Sequence, residues 1–163
     1  MAGTVSGAYK GENALGADLT LPTVAADSVV KTDALAAASP AESTLGRSTW
    51  SQSGIAITIN KVEFASDETR VFVTVANHSG ASFSFYGSSM KAISGGSQVD
   101  SDFSPEEYPE LASDIESGAR SSGVVTFPKL DSSRALKLVC EGYSDDMNIG
   151  DYGSIKTTFQ WPA

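Results

Sequence analysis

The sequence predicts an all-β protein: an antiparallel two-sheet β-sandwich of about seven strands behind a flexible N-terminal arm. Three observations predict it. From Thr49 onward, aromatic and β-branched residues recur with a period close to two, as in a strand with one buried face. Clusters of Gly, Pro, Asn, Asp and Ser separate these runs at turn positions. No stretch of the body carries the apolar period of an amphipathic helix. A small barrel is the alternative closure of the same strands.

The elements follow in order. Ile55, Ile57 and Ile59 alternate with Ala56, Thr58 and Asn60, and then Val62 and Phe64 resume on even numbers. That phase change at Asn60-Lys61 predicts a β-bulge, because one extra residue returns the chain to its inward face. Asp67-Glu68 makes a turn. Residues 69–77 put Val71, Val73 and Val75 on one face and Phe72, Thr74 and Ala76 on the other. Asn77-His78-Ser79-Gly80 has turn composition. Phe83 and Phe85 alternate with Ser82 and Ser84. Residues 90–93 form a short edge strand before Gly95-Gly96, and residues 123–127 a strand that stops at Pro128. Along 134–141, Leu136, Leu138 and Cys140 point inward while Lys137 and Glu141 point outward. Residues 153–161 repeat the pattern with Ile155, Thr157, Phe159 and Trp161.

Residues 1–46 are of different composition. They are rich in Ala, Gly, Ser and Thr, and Tyr9 is their only aromatic. So little burial is on offer that it does not offset the ordering entropy, which predicts a flexible polar arm over 1–46 and a sandwich domain over 47–163. Residues 34–41 read as linker. Residues 27–35 are open to a second reading, a short helix or strand docked on the body. Met1-Ala2-Gly3 is followed by neither a basic nor an apolar targeting region, so the chain as given is expected to carry no signal peptide. A mature fragment with a new start methionine and an unprocessed cytoplasmic protein both fit.

Composition removes several function classes. Eleven basic residues against 20 acidic ones leave a net charge of −9 over 163 residues. Nucleic acids and anionic membranes need basic surface, so neither is expected as a partner. No apolar run approaches the roughly 20 residues that span a bilayer. A lone Cys140 forms no internal disulfide and no cysteine-built zinc site.

Four segments together resemble a known group: 54–64 (GIAITINKVEF), 70–77 (RVFVTVAN) closed by His78-Ser79-Gly80, 115–127 (IESGARSSGVVTF) and 135–139 (ALKLV). In this order and spacing, over residues 48–163, they are similar to bacterial extracytoplasmic Ig-like domains of unknown function. Those domains follow a lipoprotein signal or a membrane anchor, and some carry a telomeric repeat-binding-factor label. The resemblance implies an Ig-like sandwich, a secreted or envelope location, and no known catalysis. It assigns Gly118 to a turn and Gly123 to a strand start. This chain departs from the pattern in lacking the signal or anchor.

Candidate chemistry is sparse. A Ser-His-Asp triad would have to use His78, the only histidine, which sits in a turn with no nucleophile elbow in the chain. Asn77-His78-Ser79 matches a glycosylation sequon by chance. Cys140 shares a face with Leu136 and Leu138 and reads as a small core hydrophobe. Seven acids, Asp100, Asp102, Glu106, Glu107, Glu110, Asp114 and Glu116, lie together with no Lys or Arg among them. They could hold calcium or attract a basic partner, although a solvated loop explains them more simply. Pro105 and Pro109 argue against a long helix there, while Ser104-Pro105-Glu106-Glu107 fits one helical turn. Residues 145–151 fail as an EF-hand, since Asp151 stands where Gly is needed and Thr157 where Glu is needed. They read as the join between the last two strands. No spacing selects a carboxylate pair for glycoside hydrolysis.

The expectation is therefore a non-enzymatic extracytoplasmic binding module with no catalytic, cofactor or metal residues. It is expected to be a monomer that meets a protein or envelope component and does not insert in a membrane. A protease inhibitor presenting residues 98–122 and a carboxylate-dependent hydrolase are the alternatives.

Overall fold

The computed structural model describes residues 2–12, 15–28, 33–102, 104 and 108–163. The chain divides into two compact units, Met1–Ala36 and Ala37–Ala163.

The second unit is the sandwich. One sheet holds β5 (Ile55–Ala65), β6 (Glu68–Asn77) and β11 (Arg120–Pro128), with β3 (Ala41–Leu45) and β4 (Ser48–Gln52) paired along the other side of β5. The other sheet is centred on β12 (Leu136–Ser144). β13 (Ser154–Trp161) pairs with one side of it, and β7 (Phe83–Phe85) and β8 (Lys91–Ser94) follow each other along the other side. β9 (Ser97–Asp100) extends β8, and β10 (Asp114–Ile115) extends β7. All these pairings are antiparallel.

Alternation fills the space between the sheets. Ile55, Ile57, Ile59, Val71, Val73 and Val75 are fully buried and meet Phe83, Phe85, Leu138 and Cys140 from the facing sheet in one core. At about 25 cal/mol per Å² of apolar surface, each such large side chain contributes roughly 1.5–3 kcal/mol. The register between β5 and β6 shifts between Ile59 and Lys61, so the expected bulge is present. Asn60 is the extra residue, and Val62 and Phe64 stay in the core because of it. Its side chain donates to Thr74 Oγ1 at 2.9 Å. Pairing closes one corner as well, where Trp161 Nε1 donates to the Gly46 carbonyl at 3.1 Å.

All seven expected strands are present, and four short ones join them. β3, β4, β9 and β10 are too polar or too short for periodicity to reveal. Two boundaries move. Ala41–Leu45 belongs to the body, because it pairs with β5 and Ser39 ahead of it accepts a hydrogen bond from Arg70. The compact unit that contains the sandwich runs from Ala37 to Ala163. β11 starts at Arg120, so Gly123 is mid-strand; a Cβ there would overlap the Leu111 backbone. Gly118 does sit in a turn, with a φ of 82° that favours glycine.

Within the arm expected over residues 1–46, Ala2–Ser28 carries regular structure. β1 (Ala2–Glu12) and β2 (Asp18–Ser28) form an antiparallel hairpin. Tyr9 lies opposite Leu21 and Leu19 opposite Gly11, and the Tyr9 ring lies over Gly11. These side chains stay at the surface, with Tyr9 62% exposed. Ala34–Ala37 makes one helical turn, α1, where Ala36 N–H donates to Asp33 Oδ1 at 2.8 Å. Of the second reading for 27–35, residues 29–32 lie outside the described residues.

Candidate functional site

Residues 101, 102, 104 and 108–113, the strap, lie along the outer edge of β11. Asp102 N–H donates to the Thr126 carbonyl at 2.8 Å, and Val124 N–H donates to the Pro109 carbonyl at 2.8 Å. An edge strand otherwise offers these groups to any passing chain, so the strap also caps the sheet. Ser104 Oγ donates to the Val124 carbonyl at 3.0 Å, and Ala112 N–H to Ser121 Oγ at 2.8 Å. Tyr108 and Leu111 are buried, Leu111 as part of the core.

Tyr108 is the clasp. Its hydroxyl donates to Glu68 Oε1 at 2.7 Å on the outer face of β6. Beside it lies Arg70, a guanidinium only 3% exposed. Nη2 of Arg70 donates to the Ser39 carbonyl at 2.7 Å, and Nη1 reaches Glu68 Oε1 at 3.4 Å. Nε lies 3.2 Å from Glu63 Oε2, close enough for an ion pair but off hydrogen-bond geometry. Lys61 closes the cluster on Glu63. Burial pushes the Tyr108 hydroxyl above the usual tyrosine range, and its bond to the Glu68 carboxylate adds to the shift.

Between strap and body runs a groove of about 630 Å³, within the usual size range of small-molecule and side-chain sites. Its far wall is the turn after β7. Ser89 N–H and Oγ both bond the Tyr86 carbonyl at 3.0 and 2.8 Å, and Met90 N–H bonds the Gly87 carbonyl at 3.1 Å, so that turn is fixed. Gly87 is there because a Cβ would come within 2.9 Å of Val125 Cγ2. Phe85 N–H ties the wall to the strap through the Ser113 carbonyl at 2.7 Å. Buried Phe85, Leu111, Val124 and Val125 border the groove, together with the hydroxyl residues Tyr86, Ser88, Ser104 and Ser113 and the acids Asp102 and Glu110.

The acidic segment does not act as one cluster. Asp102 and Glu110 line the groove, whereas Asp100 sits across β8–β9 bonded to Lys91 Nζ at 2.8 Å, which holds its carboxyl below the usual range. Asp114 accepts from Ser84 Oγ at 2.7 Å. Glu106, Glu107 and the helical turn expected at 104–107 lie, apart from Ser104, outside the described residues. Among the described residues no three His, Cys, Asp or Glu side chains come together as metal ligands. The 98–122 segment is strapped down through main-chain bonds rather than held out from the body.

The other singled-out residues are structural. Asn77 is fully buried; its Nδ2 donates to the carbonyls of Ala81 and Ile115 at 2.8 and 2.7 Å, and its Oδ1 accepts from Ser79. Such an amide has no face left for a glycan. His78 is exposed and its N–H bonds the Gly54 carbonyl at 2.7 Å. Cys140 is fully buried, and burial pushes its thiol up to about 12. In the 145–151 join, Asp146 Oδ1 accepts from the Asn148 backbone and side chain, an Asx turn that leads into β13. Sequence reasoning missed Arg70, Tyr108 and Gly87. The signal for Arg70 was a charge at an even position of a strand, which reads as solvent-facing.

No family model matches the chain, and no curated protein matches it. Solved structures do share the fold. A Bacillus subtilis protein, ycdA, described as a candidate lipoprotein, superposes with a TM-score of 0.55 at 16% identity, covering 70% of this chain. The chain spans only 38% of that protein's length. A functionally unknown Listeria monocytogenes protein superposes with a TM-score of 0.54 at 10% identity, covering 76% of this chain and 86% of its own. At such identity the likeness is one of fold alone.

Proposed function

We propose that the sandwich is a non-enzymatic extracytoplasmic binding module whose ligand occupies the strap groove. The observation that carries this reading is the groove itself. It is concave, mixes apolar, hydroxyl and acidic residues in its lining, and its walls are fixed by main-chain hydrogen bonds before any ligand arrives. Preorganisation of this kind lowers the ordering cost of binding. The extracytoplasmic part draws on the fold shared with a candidate lipoprotein and on the resemblance of the 48–163 sequence. Catalysis has little to work with, since the thiol is buried and protonated and the histidine lies in a surface turn.

Amide NMR of residues 37–163 with a panel of peptides, saccharides and amines tests the reading. Shifts clustering on Gly87, Ser113 and Val124 are expected for at least one class. Shifts confined to other surfaces would refute the groove as the site. Turnover of any peptide or saccharide in the panel would refute the non-enzymatic part.

A further inference from the structure

We propose that the β12–β13 turn, residues 143–153, is a docking knob for a protein partner that offers an apolar pocket rimmed by Lys or Arg. Among the described residues of Ala37–Ala163, four large apolar side chains are exposed. Three of them stand here: Tyr152 at 81%, Met147 at 61% and Tyr143 at 51%. They are neighbours in space. Tyr143 closes the β12–β13 ladder opposite Ser154, and Ser144 N–H donates to the Gly153 carbonyl at 2.7 Å. Met147 Sδ lies 3.5 Å from where a Cβ on Gly153 would be. Single apolar residues are ordinary on a surface, whereas grouped Tyr and Met side chains are the composition of a protein interface.

The turn also carries strain that the fold does not use. Gly150, Tyr152 and Gly153 all have positive φ, at 63°, 51° and 82°. Glycine takes this conformation freely and a bulky aromatic does not. Tyr152 therefore costs backbone energy, and so exposed a ring recovers little of it by packing within the chain. Strain kept at an exposed position points to use by something outside the chain. The rest of the turn holds that ring still. Ile149 belongs to the core, its N–H donates to the Asp146 carbonyl at 3.0 Å, and its carbonyl accepts from Gly153 N–H at 2.9 Å. Asp151 and Ser154 exchange main-chain bonds at 2.8 and 3.0 Å. A turn fixed in advance loses little entropy when a partner arrives.

Charge selects the occupant. Residues 145–151 hold Asp145, Asp146 and Asp151 and no base. Asp146 is engaged with Asn148, whereas Asp145 and Asp151 are exposed, and Asp151 directly precedes Tyr152. A second copy of the chain would set these acids against a molecule of net charge −9, and an anionic membrane would repel them as well. A protein pocket with a basic rim takes the rings and the methionine inside while its cations meet the carboxylates.

The probe is an aminated β-cyclodextrin, an apolar cavity ringed by ammonium groups, titrated into the full chain and followed by amide NMR. Its strongest shifts are expected at Met147, Tyr152 and Gly153, and its affinity is expected to fall with added salt. Tyr152→Gly with Met147→Ser is expected to weaken it about tenfold, and Asp145→Asn with Asp151→Asn about threefold. Tyr152→Gly alone is expected to raise Tm by about 1–3 °C, because glycine relieves the strain. A fall of several degrees would show the ring to be part of the fold and would overturn the inference. Equal affinity for neutral β-cyclodextrin, which removes the basic rim, would overturn it too, as would shifts absent from residues 143–153. Dimerisation of the full chain that Tyr152→Gly abolishes would overturn the occupant in favour of a second copy. None of these outcomes touches the groove, whose own test reads Gly87, Ser113 and Val124.

Discussion

The hairpin and the sandwich contain strands of equal length and unequal fate. β1, β2 and β5 are eleven residues each, and all three pair along their ladders apart from bulges at Ser6, Asp27 and Asn60. In β5 alternate side chains vanish into a core shared with a second sheet, while Tyr9, Leu19 and Leu21 of the hairpin remain at the surface. Main-chain hydrogen bonds replace bonds to water and contribute modestly on balance, whereas buried apolar area is a net gain. A two-stranded ribbon alone is marginal in water for this reason. Ladder pairing shapes both regions, and in the sandwich a second sheet adds buried area to it.

Core truncation gives the largest break between them. Ile57→Ala in β5 is expected to cost about 2–5 kcal/mol, or several degrees of Tm, while Leu21→Ala in the hairpin stays within about 0.5 kcal/mol. Comparable losses in thermal melts would mean that the hairpin is packed in solution. Truncation comes next. A chain beginning at Ala37 should melt with the full-length protein. One beginning at Arg47 loses β3 and the Ser39 carbonyl that Arg70 needs, at a cost on the order of 2 kcal/mol. Equal melting of the two fragments would return the boundary to residue 47.

Cys140 sharpens the core side. Cys140→Ser places a hydroxyl in an apolar layer and is expected to cost about 1–3 kcal/mol. Burial raises the folded thiol from 9.0 to about 12. Its stabilising contribution is therefore complete below the unfolded value and is lost as pH rises through the folded one. Urea midpoints between pH 8 and 11 should fall more steeply for the native protein than for Cys140→Ala. Rapid labelling of the native thiol would contradict the burial.

The smallest effect is expected from calcium. Four of the acids of 100–116 are divided among a groove wall (Asp102, Glu110), a β8–β9 ion pair (Asp100) and a hydroxyl (Asp114), so millimolar calcium should leave Tm nearly unchanged. A true site at 100 times its Kd would add about 2.7 kcal/mol. A rise of several degrees that magnesium does not reproduce, and that Asp100→Asn with Asp102→Asn abolishes, would show a site that the acids build together.

The sequence by itself determined every feature that depends on which way consecutive side chains face. A period of two is local, so Leu136, Leu138 and Cys140 were legible as core, and a single slip in parity at Asn60-Lys61 disclosed a bulge before any partner strand was known. The tertiary structure decided what depends on which distant segments meet. Arg70 stands on an outward face, yet it is buried because the segment around Ser39 and the strap around Tyr108 cross over it. Asn77 has turn composition and becomes a hub only when Ile115 and Ala81 arrive. The groove exists because Asp102 and Pro109 bond the edge of β11 while Ser113 bonds Phe85 of the facing sheet. Periodicity carries no information about such meetings, because loop closure joins residues whose spacing has no repeat.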